Sequence, residues 1–296
     1  MQVFQLPNFR VLLKIVVKAA SAWVSDNASS MGAALAYYTL FSLAPILVIG
    51  VAIAGYVFGP QVAQSQVLSQ LPGLIGAAGA DAVRDLILSA HYSDKQGLAA
   101  LVGIVTLIIG ATSVFGELQY ALERIWKTPE PQQTEAAWWR FLQARVFALG
   151  MVLGTVFLLL VSLIATAALS ALSGGLSGFV PPLRHWVSLL NFVLSFGMTV
   201  VLFAAIFKYA PRERIAWGDV WVGATVTAFL FSVGKSLIGI YLGTSAFSSA
   251  YGAAGSLIVL LLWIYYSAQI FLYGAEFTCA FAYERGSRAD GGHAPR

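Results

Sequence analysis

Two charged side chains stand inside stretches that are otherwise apolar enough to cross a membrane. Lys235 lies in "VTAFLFSVGKSLIGIYLG", and Glu276 lies in "SLIVLLLWIYYSAQIFLYGAEFTCAF". A charged group at mid-membrane costs about 2.5–3.5 kcal/mol on insertion scales, so each needs a structural or functional reason. Chemically, an ammonium group can bind an anion, and a carboxyl group can take up and release a proton.

The helix that carries Glu276 also carries a polar stripe. Tyr266, Gln269, Tyr273 and Glu276 are spaced by three, four and three residues, which puts them on one helical face. A stripe of this kind is expected to face the interior of a bundle or a wet cavity.

A second group of candidates lies near the start of the chain, in another apolar stretch. Tyr38 and Ser42 share a helical face, and Pro45 follows. Proline removes a helical hydrogen bond and kinks the helix. Such a kink beside polar residues is compatible with a cavity border and equally with plain packing.

Lys235 and Glu276 are not expected to pair directly. Their depths can be counted in residues from the centres of their predicted spans, at about 1.5 Å per residue. By this count the two residues lie nearly 20 Å apart along the membrane normal. Lys235 could reach the outer headgroups, turn into an outward-open cavity, or bond to Tyr265. Glu276 could be capped by a tyrosine or a cation, or it could serve as a protonatable group in a transport path.

The elements that position these residues are membrane helices. Of the 296 residues, 59% are hydrophobic and only 10% are charged, against about 25% charged in soluble domains. The predicted class is all-α: a polytopic membrane bundle in a transmembrane domain over 31–282. Its six expected spans are about 31–57, 97–116, 145–171, 187–207, 219–242 and 254–282.

Orientation follows from lysine and arginine, which favour cytoplasmic loops. Thirteen of the seventeen fall on one side of the predicted topology, so both termini are expected in the cytoplasm. Residues 1–30 are expected to form an amphipathic helix in the cytoplasmic interface, where its cations suit lipid better than nucleic acid. Residues 58–96 are expected to form short periplasmic amphipathic helices, and 283–296 a disordered cytoplasmic tail.

The sequence offers no sign of catalysis. It contains no HExxH, P-loop or G-x-S-x-G motif, and its three histidines are scattered. We therefore expect no enzyme activity, catalytic residue, metal or cofactor. A single cysteine, Cys279, excludes an intrachain disulfide.

Four stretches resemble the YihY/virulence factor BrkB family over about residues 20–284. They are "AALAYYTLFSLAPILV", "GATSVFGELQYALERIW", "YAPRERIAWGDVWVGA" and "SAYGAAGSLIVLLLWIYYSAQIFLYGAEFTCA". The resemblance implies a bacterial inner-membrane protein of about six helices, with a role in the envelope or in moving lipid-like molecules. The family once carried the label of a ribonuclease, ribonuclease BN, which is regarded as mistaken.

The function expected from these observations is a transporter or flippase-like mover of an amphiphilic, anionic envelope molecule in the inner membrane. The alternative is a non-transporting scaffold for envelope assembly, and a ribonuclease is a remote third. The expected partners are membrane lipids and the cargo, with no nucleic acid. The sequence leaves the oligomeric state open, a homo-oligomer included.

Overall fold

The structure is a computed structural model, and it describes residues 9–42, 59, 65, 84, 113–128, 183–244 and 253–289. Within these residues it contains six helices and no strand, which confirms the all-α class for this part of the chain. The helices are α1 (Phe9–Ser25), α2 (28–42), α3 (113–125), α4 (Leu183–Tyr209), α5 (Trp217–Thr244) and α6 (Ala253–Glu284).

Three of these helices are long and apolar enough to cross a membrane. The qualifying stretches are Phe192–Tyr209, Trp217–Ile238 and Leu257–Glu284, and they match the fourth, fifth and sixth predicted spans. At 1.5 Å per residue the last of these is about 42 Å long, well above a hydrocarbon core of roughly 30 Å. The chain is therefore a membrane protein with at least these three apolar helices.

The other predicted spans are described only in part. Helix α2 covers the start of the first span, and the described part of α3 overlaps the end of the second. The third span, 145–171, lies outside the described residues, as does almost all of the predicted periplasmic segment, 58–96. The count of six spans stays a prediction.

Helix α1 lies within residues 1–30, where the sequence predicts an amphipathic helix. Ile15 and Ala19 are fully buried on one face, whereas Phe9, Leu13 and Val17 are exposed on the opposite face. These last three recur every four residues, so they form a continuous apolar strip. That the strip lies in the membrane interface stays a prediction.

A two-residue turn at 26–27 joins α1 to α2. Asn27 has φ of 55°, in the left-handed region that asparagine tolerates better than most residues. Its carbonyl accepts from the backbone amides of Ser30 and Met31, which begins the next helix. Asparagine at this position therefore permits the tight break between two helices.

The chain divides into two compact units. The first comprises Met1–Ala20, Leu122–Phe229 and Gly274–Arg296, and the second comprises Ser21–Ala121 and Leu230–Tyr273. In the first unit α5 and α6 pack closely through two copies of one short pattern, G-A-x-x-T. The copies are "GATVT", from Gly223 to Thr227, and "GAEFT", from Gly274 to Thr278.

Each glycine of this pair of patterns lies against the threonine of the other helix. A Cβ on Gly223 would come 2.7 Å from Cβ of Thr278, and one on Gly274 would come 2.9 Å from Cβ of Thr227. Each threonine also donates to the carbonyl of the glycine four residues before it, at 2.7 Å. The hydroxyls are thus satisfied within their own helices while the glycines allow a close antiparallel approach.

Candidate functional site

The carboxyl group of Glu276 is buried in the first unit. Its residue is 2% exposed, and its neighbours along α6, Ala275, Phe277 and Thr278, are each 2% exposed or less. Glu276 lies within the second G-A-x-x-T pattern, and its side chain interacts with other residues. A carboxyl group so deep in an apolar helix is costly to bury, so its place there calls for compensating contacts.

Gln269 occupies a defined place in the second unit. Its Nε2 donates to the backbone carbonyl of Ser29, at 3.4 Å, and fills the space that a Cβ on Gly32 would need. Because a carbonyl can only accept, this bond fixes the amide with its NH₂ toward α2. The other amide atom, Oε1, is buried and accepts no hydrogen bond from the residues that the structure describes.

The two tyrosines of the predicted stripe also lie in the second unit. Tyr266 is half-buried and packs against Gly234 of α5, where a Cβ would meet its ring at 3.1 Å. Tyr273 is half-buried and interacts with other residues. A Cβ on Gly234 would also overlap Ile270, so this glycine allows close contact between α5 and α6 in the second unit.

The candidates on α2 differ in exposure. Tyr38 is 36% exposed and meets the ring of Tyr37 edge to face, with the centroids 5.6 Å apart. Ser42 is buried and donates to the carbonyl of Thr39 at 3.1 Å, so its hydroxyl is used within its own helix. Pro45 lies outside the described residues.

Lys235 is exposed on α5, in the second unit, and it interacts with other residues. Glu276 belongs to the first unit. The structure brings Gln269 together with the start of α2, and Tyr266 together with α5.

A polar network at the end of α6 was not expected from the sequence. Glu284 accepts from the ammonium groups of Lys14 and Lys18, each at 2.9 Å, which ties α1 to α6 in the first unit. Asp219, 3% exposed in the first turn of α5, accepts from the backbone amide and the hydroxyl of Ser287. The four-residue spacing of the two lysines indicates that they share one helical face. It does not identify their partner, which lies 266 residues or more along the chain.

Arg288 completes this network. It pairs with Glu213 at 2.9 Å, bonds to the hydroxyl of Tyr283 at 3.1 Å, and lies 5.1 Å from the ring of Trp126. Burial opposes the charge, but the bonds to Tyr283 and Glu213 outweigh it and raise the pKa of Arg288. Ser287 and Arg288 therefore make specific contacts within the segment 283–296, which the sequence predicts to be a disordered tail.

Two further cations in the first unit have partners. Arg212 pairs with Glu123 of α3 at 3.0 Å, and Lys208 donates to the carbonyl of Ile215 and lies over the ring of Trp217. Among the described residues, no group of three or more histidine, cysteine, aspartate or glutamate side chains could hold a metal ion.

The comparisons with known proteins agree with this architecture. The chain is 28% identical to a UPF0761 membrane protein of Alteromonas mediterranea over 98% of its own length and 94% of the relative's. It is 28% identical to one of Rhodospirillum centenum and 27% identical to one of Alkalilimnicola ehrlichii. In these two it covers 89% and 92% of its own length but only 56% and 59% of theirs.

No solved structure matches the chain. The family model described as virulence factor BrkB matches residues 19–296, nearly the whole sequence. With its apolar helices, its small-residue packing and this match, the chain belongs to the virulence factor BrkB family of membrane proteins.

Proposed function

We propose that this chain is an inner-membrane protein that moves an amphiphilic, anionic envelope molecule across or within the bilayer. The observation that carries the proposal is the burial of Glu276, 2% exposed in a helix long and apolar enough to span the membrane. Ionisable residues within such helices are rare and mark substrate, ion or proton pathways by default. Lys235 supplies a cation for an anionic group.

The proposed topology has six crossings with both termini in the cytoplasm. The bonds from Lys14 and Lys18 to Glu284 support one part of it, because groups in direct contact are expected on the same side of a membrane. The excess of lysine and arginine on that side supports its being the cytoplasmic one. Fusions of a cytoplasmic and a periplasmic reporter to each end test this: opposite compartments for the two ends would refute it.

The transport proposal is tested in proteoliposomes loaded with fluorescent anionic lipids. We expect purified protein to accelerate lipid exchange between leaflets, and Glu276→Gln and Lys235→Ala to slow it severalfold. Ser236→Ala is a matched control, because Ser236 is an exposed neighbour that donates to the carbonyl of Ser232. Equal rates with the protein, with these variants and with empty liposomes would reject transport.

A scaffold for envelope assembly is the second candidate, and the close packing of α5 on α6 in the first unit favours it. Interlocked glycines and threonines leave little room for water there. A scaffold predicts a stable envelope partner after mild solubilisation and no lipid movement. We propose no catalytic role, so RNA incubated with the protein and a divalent metal should stay intact.

A further inference from the structure

Three apolar helices have an end at one level in the first unit. Tyr209 is the last residue of α4, Trp217 is the first residue of α5, and their rings are in contact. The apolar stretches of both helices end at these same residues. Asp219, in the first turn of α5, accepts from Ser287, which lies just past the end of α6. Because three stretches able to cross a membrane end together, this level marks one boundary of the hydrocarbon.

Exposed aromatic rings lie at this boundary, and we call Tyr209, Trp217 and Trp221 the aromatic row. They are 51%, 44% and 44% exposed. The rings of Tyr209 and Trp217 meet edge to face with their centroids 6.1 Å apart, and Trp217 stacks on Trp221 at 6.2 Å. Tryptophan and tyrosine are enriched where membrane meets water, since each has an apolar ring with a polar N–H or O–H. The aromatic row therefore suits the headgroup region.

The aromatic row continues into a face of α5 that suits acyl chains. Thr225 and Phe229 follow Trp217 and Trp221 at four-residue intervals, and both are exposed. The hydroxyl of Thr225 donates to the carbonyl of Trp221 at 2.8 Å, so it needs no partner outside its own helix. A face of apolar side chains with a satisfied hydroxyl can lie against lipid. This continuity favours lipid, rather than a soluble protein, as the partner that covers the aromatic row.

Lys208 places a cation beside the aromatic row. Its Nζ lies 5.5 Å from the ring centroid of Trp217 and donates to the carbonyl of Ile215. An ammonium group has three N–H donors, and within the described part of the chain this carbonyl is the acceptor that it meets. Residues 208–216 hold three cations and one acid, and the acid, Glu213, is engaged in the ion pair described above. Donors and positive charge therefore remain for an anionic group.

We propose that the aromatic row and Lys208 bind the headgroup of an anionic phospholipid at this surface of the bilayer. The rings lie at the level of the glycerol and the upper acyl chains, and the ammonium group donates to a phosphate oxygen. In the proposed topology this is the cytoplasmic leaflet. The proposal uses neither Lys235 nor Glu276 and does not rest on the proposed transport.

Contact with lipid is tested by fluorine NMR of the full chain, labelled with 5-fluorotryptophan, in lipid nanodiscs. Trp217→Phe, Trp221→Phe and Trp126→Phe assign three signals. A nitroxide near the glycerol, at carbon 5 of the acyl chain, should broaden Trp217 and Trp221 more than one at carbon 16, near the bilayer centre. Trp126, which is 3% exposed, is the buried control and should be broadened least. If the carbon-16 label broadens the two signals at least as strongly, or if only a soluble gadolinium chelate broadens them, the proposal is wrong.

The headgroup is tested by carrying the carbon-5 nitroxide on phosphatidylglycerol or on phosphatidylcholine with the same chains. Phosphatidylglycerol should broaden Trp217 about fivefold more, which is the effect of one basic side chain near an anionic surface. Lys208→Gln should remove most of this preference. Arg212→Gln is the matched control, because it removes the same charge from the same connection, but from a guanidinium that is paired with Glu123. An unchanged Trp126 signal shows that each variant is folded.

Equal broadening by the two lipids in the parent protein would overturn the anionic headgroup. A preference that survives Lys208→Gln would overturn the role of that lysine. An equal loss in Arg212→Gln would do the same, since it would indicate a general attraction to the charged surface. These results are independent of the leaflet-exchange assay, so lipid binding and transport can fail separately.

Discussion

Replacing Gly223 with alanine should destabilise the protein by overpacking the contact between α5 and α6. A Cβ at this position would lie 2.7 Å from Cβ and 2.8 Å from Cγ2 of Thr278, and it would overlap the threonine hydroxyl. Real Cβ atoms essentially never come closer than 3.0 Å, so at least one backbone must move. Forcing a methyl group into a packed interior costs about 1–3 kcal/mol.

The loss can be measured as thermal unfolding of the detergent-solubilised protein. About 2–4 °C per kcal/mol is usual for chains of 150–250 residues, so Tm should fall by about 2 to 12 °C. Gly197→Ala is the matched control, because nothing lies within 4 Å of a Cβ there and Gly197 is also inside a helix. That control should be neutral or more stable by up to about 1 kcal/mol, since alanine favours helices over glycine.

A second substitution separates overpacking from other causes. Thr278→Ala removes the hydroxyl and Cγ2 while it leaves Cβ, so it takes away two of the three atoms that crowd Gly223→Ala. The double variant should therefore lose less stability than the two single losses added together. The reasoning fails if Gly223→Ala is as stable as Gly197→Ala, or if the two losses simply add.

Two further predictions concern the end of α6. Glu284→Gln should lower the free energy of unfolding by about 1 kcal/mol, mostly through the lost pair with Lys18, which is less exposed than Lys14. The variant should also show a weaker dependence of Tm on salt, and an unchanged salt dependence would contradict this prediction. Gly286→Ala should break the hydrogen bonds between Ser287 and Asp219, because the new Cβ would overlap the carboxylate of Asp219. Trypsin should then cut the arginines on either side of Gly286 faster than in the parent protein, and equal cleavage would show that the contact is not needed.

Sequence periodicity and composition predicted the local elements well. The apolar runs around Lys235 and Glu276 are helices, and so is the amphipathic segment near the start of the chain, because these patterns depend on residues three and four apart. The membrane class followed from the small share of charged residues. These features are local or compositional, so one sequence suffices to find them.

Contacts between distant residues could not be predicted in the same way. The sequence gives no reason to pair Lys18 with Glu284 rather than with another acid, and the partner of Gln269 depends on where α2 begins. The first predicted span begins after Ser29, and nothing in the sequence indicates that Ser29 meets Gln269 near the middle of α6. The G-A-x-x-T pattern was present twice in the sequence, yet its meaning appears only when the two helices lie antiparallel.

That doubled pattern has a consequence for how related sequences can diverge. At each of its two contacts, a glycine of one helix faces a branched threonine of the other. The two helices therefore share the space beside the glycine. A relative that gains bulk at the place of Gly223 must lose it at the place of Thr278, and likewise for Gly274 and Thr227. Across the family these positions should change in compensating pairs, with the combined volume at each crossing held nearly constant.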